Sequence, residues 1–128
     1  MVVREDRKYT PTNKALSRIV KLLLNLDRID PLTLNLNFAE GLGLYSSWAR
    51  GTNHYESDLD VWVKVNSFPS ESELAKMQSD LGRRAGTEVN LLVLTPEKLH
   101  RLKEEAPPFF RSLITNSVTL ADEPLEEY

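Results

Sequence analysis

Cysteine is absent from the 128 residues, so disulfides and thiolate metal sites are excluded, and any metal must be held by oxygen or imidazole. Histidine is scarce as well. His54 and His100 are the only two, too few for a zinc cage, and a carboxylate site for magnesium or manganese is the expectation instead. Long apolar runs are missing: the longest, residues 19–26, is interrupted by Lys21 and Asn25 and is far too short to span a bilayer. The charged start Met1-Val-Val-Arg-Glu-Asp-Arg-Lys contains no apolar h-region, so no secretory leader is read and a cytoplasmic protein away from membranes is expected. Nor is there an excess of positive charge. The net charge of −3 argues against nucleic acid as the main partner.

What is present is an ordinary globular composition, 41% hydrophobic and 27% charged, without repeats or low-complexity segments. The length fits one domain over residues 1–128, the first ten polar and read as mobile. Thr10-Pro11 reads as an N-cap followed by proline at the first helical position. Leu16, Ile19, Val20, Leu23 and Leu26 then recur at helical spacing, which predicts an amphipathic helix over about residues 11–27. The alternation of Leu32, Leu34, Leu36 and Phe38 suggests a strand or an extended approach to one. Residues 41–47 read as a short buried strand and residues 58–65 as a clearer one.

Ser70 and Glu73 have capping-box spacing ahead of Leu74, Met77 and Leu81, and the segment from Gly82 to Gly86 closes that helix. Residues 89–94 are apolar and β-branched enough for a central strand. Thr95-Pro96-Glu97 opens a helix carrying Leu99 and Leu102. Pro107-Pro108 ends it and opens another, with Phe109, Phe110, Leu113 and Ile114 inward and Asn116 at its end. Residues 118–120 read as a last short strand. The expected fold is α/β in the α+β sense: a small mixed sheet with helices packed mainly on one face.

The chemistry is concentrated in residues 41–65. Side chains alternate along a strand, so Asp58 and Asp60 project from one face about 7 Å apart, while Leu59, Val61, Val63 and Val65 take the other. Two carboxylates on one face repel each other unless a cation lies between them. Magnesium meets that need, because it binds one or two carboxylates together with substrate phosphates. Upstream, Ser46 and Ser47 lead into Arg50-Gly51. Hydroxyls and backbone N–H groups in such a turn bind phosphate oxygens, and glycine permits close approach. Phosphoryl-type transfer asks little more of a protein than such positioning and charge stabilisation.

The run Ser46-Ser47-Trp48-Ala49-Arg50-Gly51, followed by Ser57-Asp58-Leu59-Asp60, resembles the Gly-Ser-x-x-Arg-Gly…Ser-Asp-x-Asp motif of minimal nucleotidyltransferases. These belong to the DNA polymerase β superfamily, and the likeness extends over roughly residues 40–120. The resemblance implies nucleotide binding at Ser46, Ser47, Arg50, Gly51 and Ser57, and divalent ions on Asp58 and Asp60. Two departures stand out. The family's glycine before the serine is Ser46 here. The family's third carboxylate aligns with Asn90, and an amide ligates a metal through oxygen but cannot act as a base. Glu88, on the same strand face, is the alternative ligand.

Other polar and aromatic positions have plainer readings. Trp48 and Trp62 could stack on a nucleobase, but packing is the preferred role. His54 and Tyr55 read as exposed loop residues, His100 as surface, and Arg83-Arg84 as a solvated helix end or a charged contact. The acidic tail, residues 122–127, reads as a solubilising segment or a dock for a basic partner. For Asp58 and Asp60 themselves, the structural alternative is a pair satisfied by neighbouring N–H groups or by Arg50.

The resemblance implies an enzyme that moves a nucleoside monophosphate, AMP from ATP, to an acceptor hydroxyl, with magnesium or manganese as cofactor. The alternative is a catalytically impaired binding module acting as an antitoxin-like partner of a HEPN-type helical protein, as small members of this family do. No substrate-binding domain is visible, so a partner or a homo-oligomer is expected to help recognise the acceptor. A partner supplying the missing base in trans is a third arrangement.

Overall fold

The structure, a computed structural model, describes residues 11–35 and 38–122. The readings made for residues 1–10, for Leu36 and for the acidic residues after Asp122 lie outside them. Helix α1 (Pro11–Ile29) forms where the sequence places it, but of its predicted stripe only Leu26 packs against the core. Leu16, Ile19, Val20, Leu23 and Leu24 are 48–61% exposed. The inward side is made by half-buried Leu22 and Leu26 and by buried Asn25 and Ile29, a second stripe at the same spacing. Helical periodicity reports that a face is apolar, and here two faces qualify; only the packing decides which is covered.

The alternation over residues 32–38 does not make a strand in the described part. Pro31–Thr33 forms a single 3₁₀ turn, and Leu32 is 95% exposed. The turn is held by a side chain from further along: the Arg84 guanidinium donates to the carbonyls of Ile29 and Asp30 and to Thr33 Oγ1. Arg84 therefore ties off the end of α1 and also meets Asp80 at 3.1 Å, while its neighbour Arg83 lies exposed beside Asp80.

Strand β1 (Gly41–Tyr45) is followed by a four-residue helix, α2 (Ser47–Arg50), and then by β2 (Leu59–Lys64). Helix α3 (Glu71–Ala85) begins with the predicted capping box between Ser70 and Glu73 and ends at Gly86. Strand β3 (Val89–Leu94) leads to α4 (Pro96–Glu105), capped by Thr95. Helix α5 (Pro107–Asn116) and strand β4 (Val118–Asp122) complete the order read from the sequence, with α2 added.

The four strands form one sheet in the order β3-β2-β1-β4. β1 runs antiparallel to both its neighbours, and β2 and β3 are parallel, with α3 as the crossover that a parallel pair requires. The larger core lies on one face. There Leu42, Leu44, Leu59, Val61, Val63 and Val89 pack against Ile29 of α1, Trp48 and Ala49 of α2, and Met77, Leu81 and Ala85 of α3. On the opposite face Trp62 and Leu94 pack with Leu99, Phe110 and Leu113 from α4 and α5. Trp62 is fully buried over Gly43, its partner across the strands, where any Cβ would lie 2.2 Å from the indole ring. Both tryptophans are therefore packing residues. Among the described residues no helix is long and apolar enough to cross a membrane.

Candidate active site

Asp58 immediately precedes β2 and is exposed, while Asp60, inside the strand, is half-buried on the face opposite Leu59 and Val61. The backbone N–H of Leu59, between them, donates to the carbonyl of Glu88 at 2.8 Å. The start of β2 is thus fixed against the start of β3. Parallel register places Asp60 opposite Asn90, and the Asn90 amide donates to Asp60 Oδ1 at 2.9 Å. On the other side of β2, Tyr45 is the cross-strand partner of Asp60. Burial first, and the charge of Asp60 second, push the Tyr45 phenol above its ordinary pKa. Tyr45 in turn meets Phe109 of α5 edge-on, with ring centroids 6.3 Å apart.

Among the described residues neither Asp58 nor Asp60 is paired with a cationic side chain. Arg50, the candidate neutralising group, is exposed and forms no ion pair or hydrogen bond with them. The described residues contain no cluster of three acidic or imidazole groups that could hold a metal, and Glu88 is exposed just before β3. The donor set that fits a divalent ion is two carboxylates and, at most, the Asn90 amide oxygen, with its remaining positions open to water and phosphate. Magnesium and manganese accept such a set; zinc favours nitrogen and sulfur. An open groove of about 470 Å³ lies beside this edge of the sheet, lined in part by Gln78, Thr87, Glu88 and Asn90.

The serine turn leaves β1 immediately after Tyr45. Ser46 has φ 63° and ψ −144°, a conformation suited to glycine, and its carbonyl accepts from the N–H groups of Ala49 and Arg50. Gly51 closes α2 with φ 69°. A Cβ on it would come within 2.2 Å of the Arg18 carbonyl oxygen, so α1 runs directly against the turn. With the N–H groups of Ala49 and Arg50 taken by Ser46, those of Ser47 and Trp48 are the turn donors left without an acceptor in it, and with the Ser47 hydroxyl they suit an anion.

The loop from this turn to Asp58 is internally bonded. The Ser57 hydroxyl accepts from the N–H of His54, and His54 Nδ1 accepts from the N–H of Glu56. The Ser57 carbonyl accepts from Thr87. Ser57 is thus occupied in shaping the loop that delivers Asp58, and His54 and Tyr55 are exposed, as is His100. The structure brings together Asp58, Asp60 and Asn90 at the adjoining ends of β2 and β3, with the turn Ser46–Gly51 joined to β1 next door. Tyr45 was not read as a site residue. Its place beside Asp60 depends on the antiparallel register, which no local pattern in the sequence reports.

A family model described as nucleotidyltransferase domain matches residues 39–118. Among solved structures, a toxin–antitoxin complex with AMP-PNP superposes with a TM-score of 0.50 and 19% identity, over 83% of this chain and 72% of that one. A mutant of the toxin–antitoxin MntA–HpeT gives 0.51 and 18%, over 89% of this chain and 75% of that one. At such identities these structures speak to the fold alone. No curated protein matches the sequence. The family model spans β1, the serine turn, both aspartates and Asn90, and the chain belongs to the nucleotidyltransferase domain family.

Proposed function

We propose that the protein binds a nucleoside triphosphate, ATP, through the Ser46–Gly51 turn and a divalent ion on Asp58 and Asp60, and transfers AMP to an acceptor hydroxyl on a partner protein. The observation that carries this reading is the pair of aspartates without a cationic partner, set at the strand ends beside a serine turn. In the transfer, the acceptor oxygen forms a bond to the α-phosphorus, the bond to the bridging oxygen breaks, and pyrophosphate leaves. A divalent ion bound at the aspartates supplies charge neutralisation at the α-phosphate and the leaving group. Ser47 and the turn amides hold the triphosphate, and Arg50, free at the surface, faces its charge. Asn90 cannot take the proton of the acceptor hydroxyl. That proton goes to a base outside β3, which is one reason to include a partner.

The second reading is a binding module in which catalysis is impaired, acting as the antitoxin-like subunit of a HEPN-type helical protein. It is favoured by two observations. Asn90 occupies Asp60 with a hydrogen bond where a third carboxylate is expected. The outer face of α1 presents Leu16, Ile19, Val20, Leu23 and Leu24 to solvent, with Lys14 and Lys21 on the same helix, an apolar stripe with a basic edge that suits a partner helix edged with acidic residues. The toxin–antitoxin nature of the structures cited above is consistent with both readings.

Calorimetric titration with ATP and manganese, beside an Asp58→Ala/Asp60→Ala variant, separates them. Metal-dependent binding that vanishes in the variant, followed by transfer of label from ATP to the co-expressed helical partner, supports the enzyme. A partner complex that forms without nucleotide binding leaves the module. Binding of neither removes both.

A further inference from the structure

Asn25 is a buried polar group that the site chemistry leaves unused. It lies on α1, 3% exposed, on an inward face otherwise made of Leu22, Leu26 and Ile29. Burying an amide there is costly unless its hydrogen bonds are made, and they are made to a single target. The Asn25 amide donates to the carbonyl of Trp48 at 3.0 Å and to Asn53 Oδ1 at 2.8 Å. The Asn53 amide donates back to Asn25 Oδ1 at 3.2 Å. Trp48 and Asn53 bracket the segment Ala49-Arg50-Gly51-Thr52, so one side chain from a distant helix grips both ends of the serine turn. Between those two grips, Gly51 meets the Arg18 carbonyl of the same helix closely enough to exclude any Cβ. Among the described residues no other side chain from outside the turn bonds to it in this way. It is a four-residue helix, too short to be stable by itself, and its entry residue Ser46 is strained.

We propose that Asn25 and Asn53 are positioning residues for the triphosphate: their paired amides fix the turn Ser47–Gly51 relative to Asp58 and Asp60, and so set nucleotide affinity without touching nucleotide or metal. The proposal rests on the nucleotide-binding reading above. Asn53 is the more useful handle because it is only half-buried and its loss leaves the Asn25 bond to Trp48 in place. Holding the turn lowers the ordering cost that the nucleotide would otherwise meet on binding.

The test uses the whole protein, with ATP and manganese as the probe, and compares Asn53→Ala, Asn25→Ala and the double variant. Asn53→Ala is expected to raise the dissociation constant for ATP about tenfold, the loss of one or two hydrogen bonds, while manganese binding in the absence of ATP changes less than about twofold. Hydrogen exchange without ligand is expected to quicken at the amides of residues 47–53 and nowhere else in the sheet. The double variant is expected to lose no more affinity than Asn25→Ala alone, since the pair acts as a unit. An Asn53→Ala protein that binds ATP as tightly as the native chain, whatever its unfolding temperature, reduces the pair to a structural contact and overturns the proposal. Native protein that binds no ATP overturns the nucleotide reading and the purpose assigned here. The exchange data then still report whether the amides hold the turn, and unchanged exchange in Asn53→Ala refutes the clamp by itself.

Discussion

The Asn90 amide donates to Asp60 Oδ1 at 2.9 Å across the parallel pair β2 and β3. Register alone makes them neighbours, so any residue at position 90 addresses the carboxylate of Asp60. An asparagine there satisfies Asp60 without adding charge. An aspartate there would complete a three-carboxylate set and add repulsion that only a cation relieves.

Asn90→Asp therefore has two expected signatures. Without metal, the variant loses the hydrogen bond and gains a like charge opposite Asp60, a cost of about 1–2 kcal/mol in urea unfolding. With manganese, the order reverses: the variant binds the ion more tightly than the native chain and gains more in melting temperature. If the native protein transfers AMP slowly for want of a base, label transfer also rises by about tenfold or more. A variant whose stability ignores manganese would show that β2 and β3 do not build a metal site.

Ser46 carries φ 63° and ψ −144°, and the family motif that the turn resembles has glycine there. Strain of this kind costs about 1–3 kcal/mol, and glycine in return adds up to about 1 kcal/mol of unfolded-state entropy. Ser46→Gly is thus expected to stabilise the protein by about 1 kcal/mol and to tighten ATP binding, because the phosphate path loses a side chain. Equilibrium denaturation and the same ATP titration measure both. A destabilised variant would mean that the serine hydroxyl contributes more than its backbone costs.

Much of the fold was legible because local chemistry and tertiary structure agree. The Ser70–Glu73 capping box, the Thr95-Pro96 start and the bounds of β3 are set by residues next to one another, and each element appeared where its own signals put it. The motif from Ser46 to Asp60 was legible for the same reason, down to the oddity of Ser46, whose backbone proves to be glycine-like. What stayed hidden depends on partners distant in the chain. Two apolar stripes wind around α1, and nothing in their spacing says that Leu22, Leu26 and Ile29 go inward while Leu16 and Leu23 do not. Asn25 looked like an interruption of an apolar run; it is the bond that joins α1 to the serine turn. The place of Tyr45 beside Asp60 follows from strand register alone.

Gly51 and Gly86 provide an internal comparison. Both have positive φ, 69° and 72°, but a Cβ at Gly51 would strike the Arg18 carbonyl at 2.2 Å, whereas one at Gly86 would meet nothing within 4 Å. Gly86→Ala should cost only the backbone penalty, about 1 kcal/mol. Gly51→Ala should cost that and the displacement of α1, about 2–4 kcal/mol in all. Only Gly51→Ala should weaken ATP binding in whatever fraction remains folded. Equal costs for the two would mean that α1 is not held against the turn.

Tyr45 links the alkaline side of stability to the site. Its phenol is pushed above the ordinary value of 10.0, mainly by burial and further by Asp60. The folded state therefore keeps the proton that the unfolded chain has begun to lose, and the contribution of Tyr45 to stability is complete below about pH 10. It declines as the pH rises from there through the folded pKa, because the unfolded state then binds fewer protons. Tyr45→Phe should flatten that part of the pH dependence of unfolding. Asp60→Asn should shift the phenolate transition, read as the ultraviolet difference between each protein and its Tyr45→Phe counterpart, back toward lower pH without abolishing the rise due to burial. A divalent ion bound at Asp58 and Asp60 should act in the same direction as Asp60→Asn, since it cancels the same charge. A phenolate transition that Asp60→Asn leaves in place would show that the Asp60 charge does not reach the Tyr45 ring.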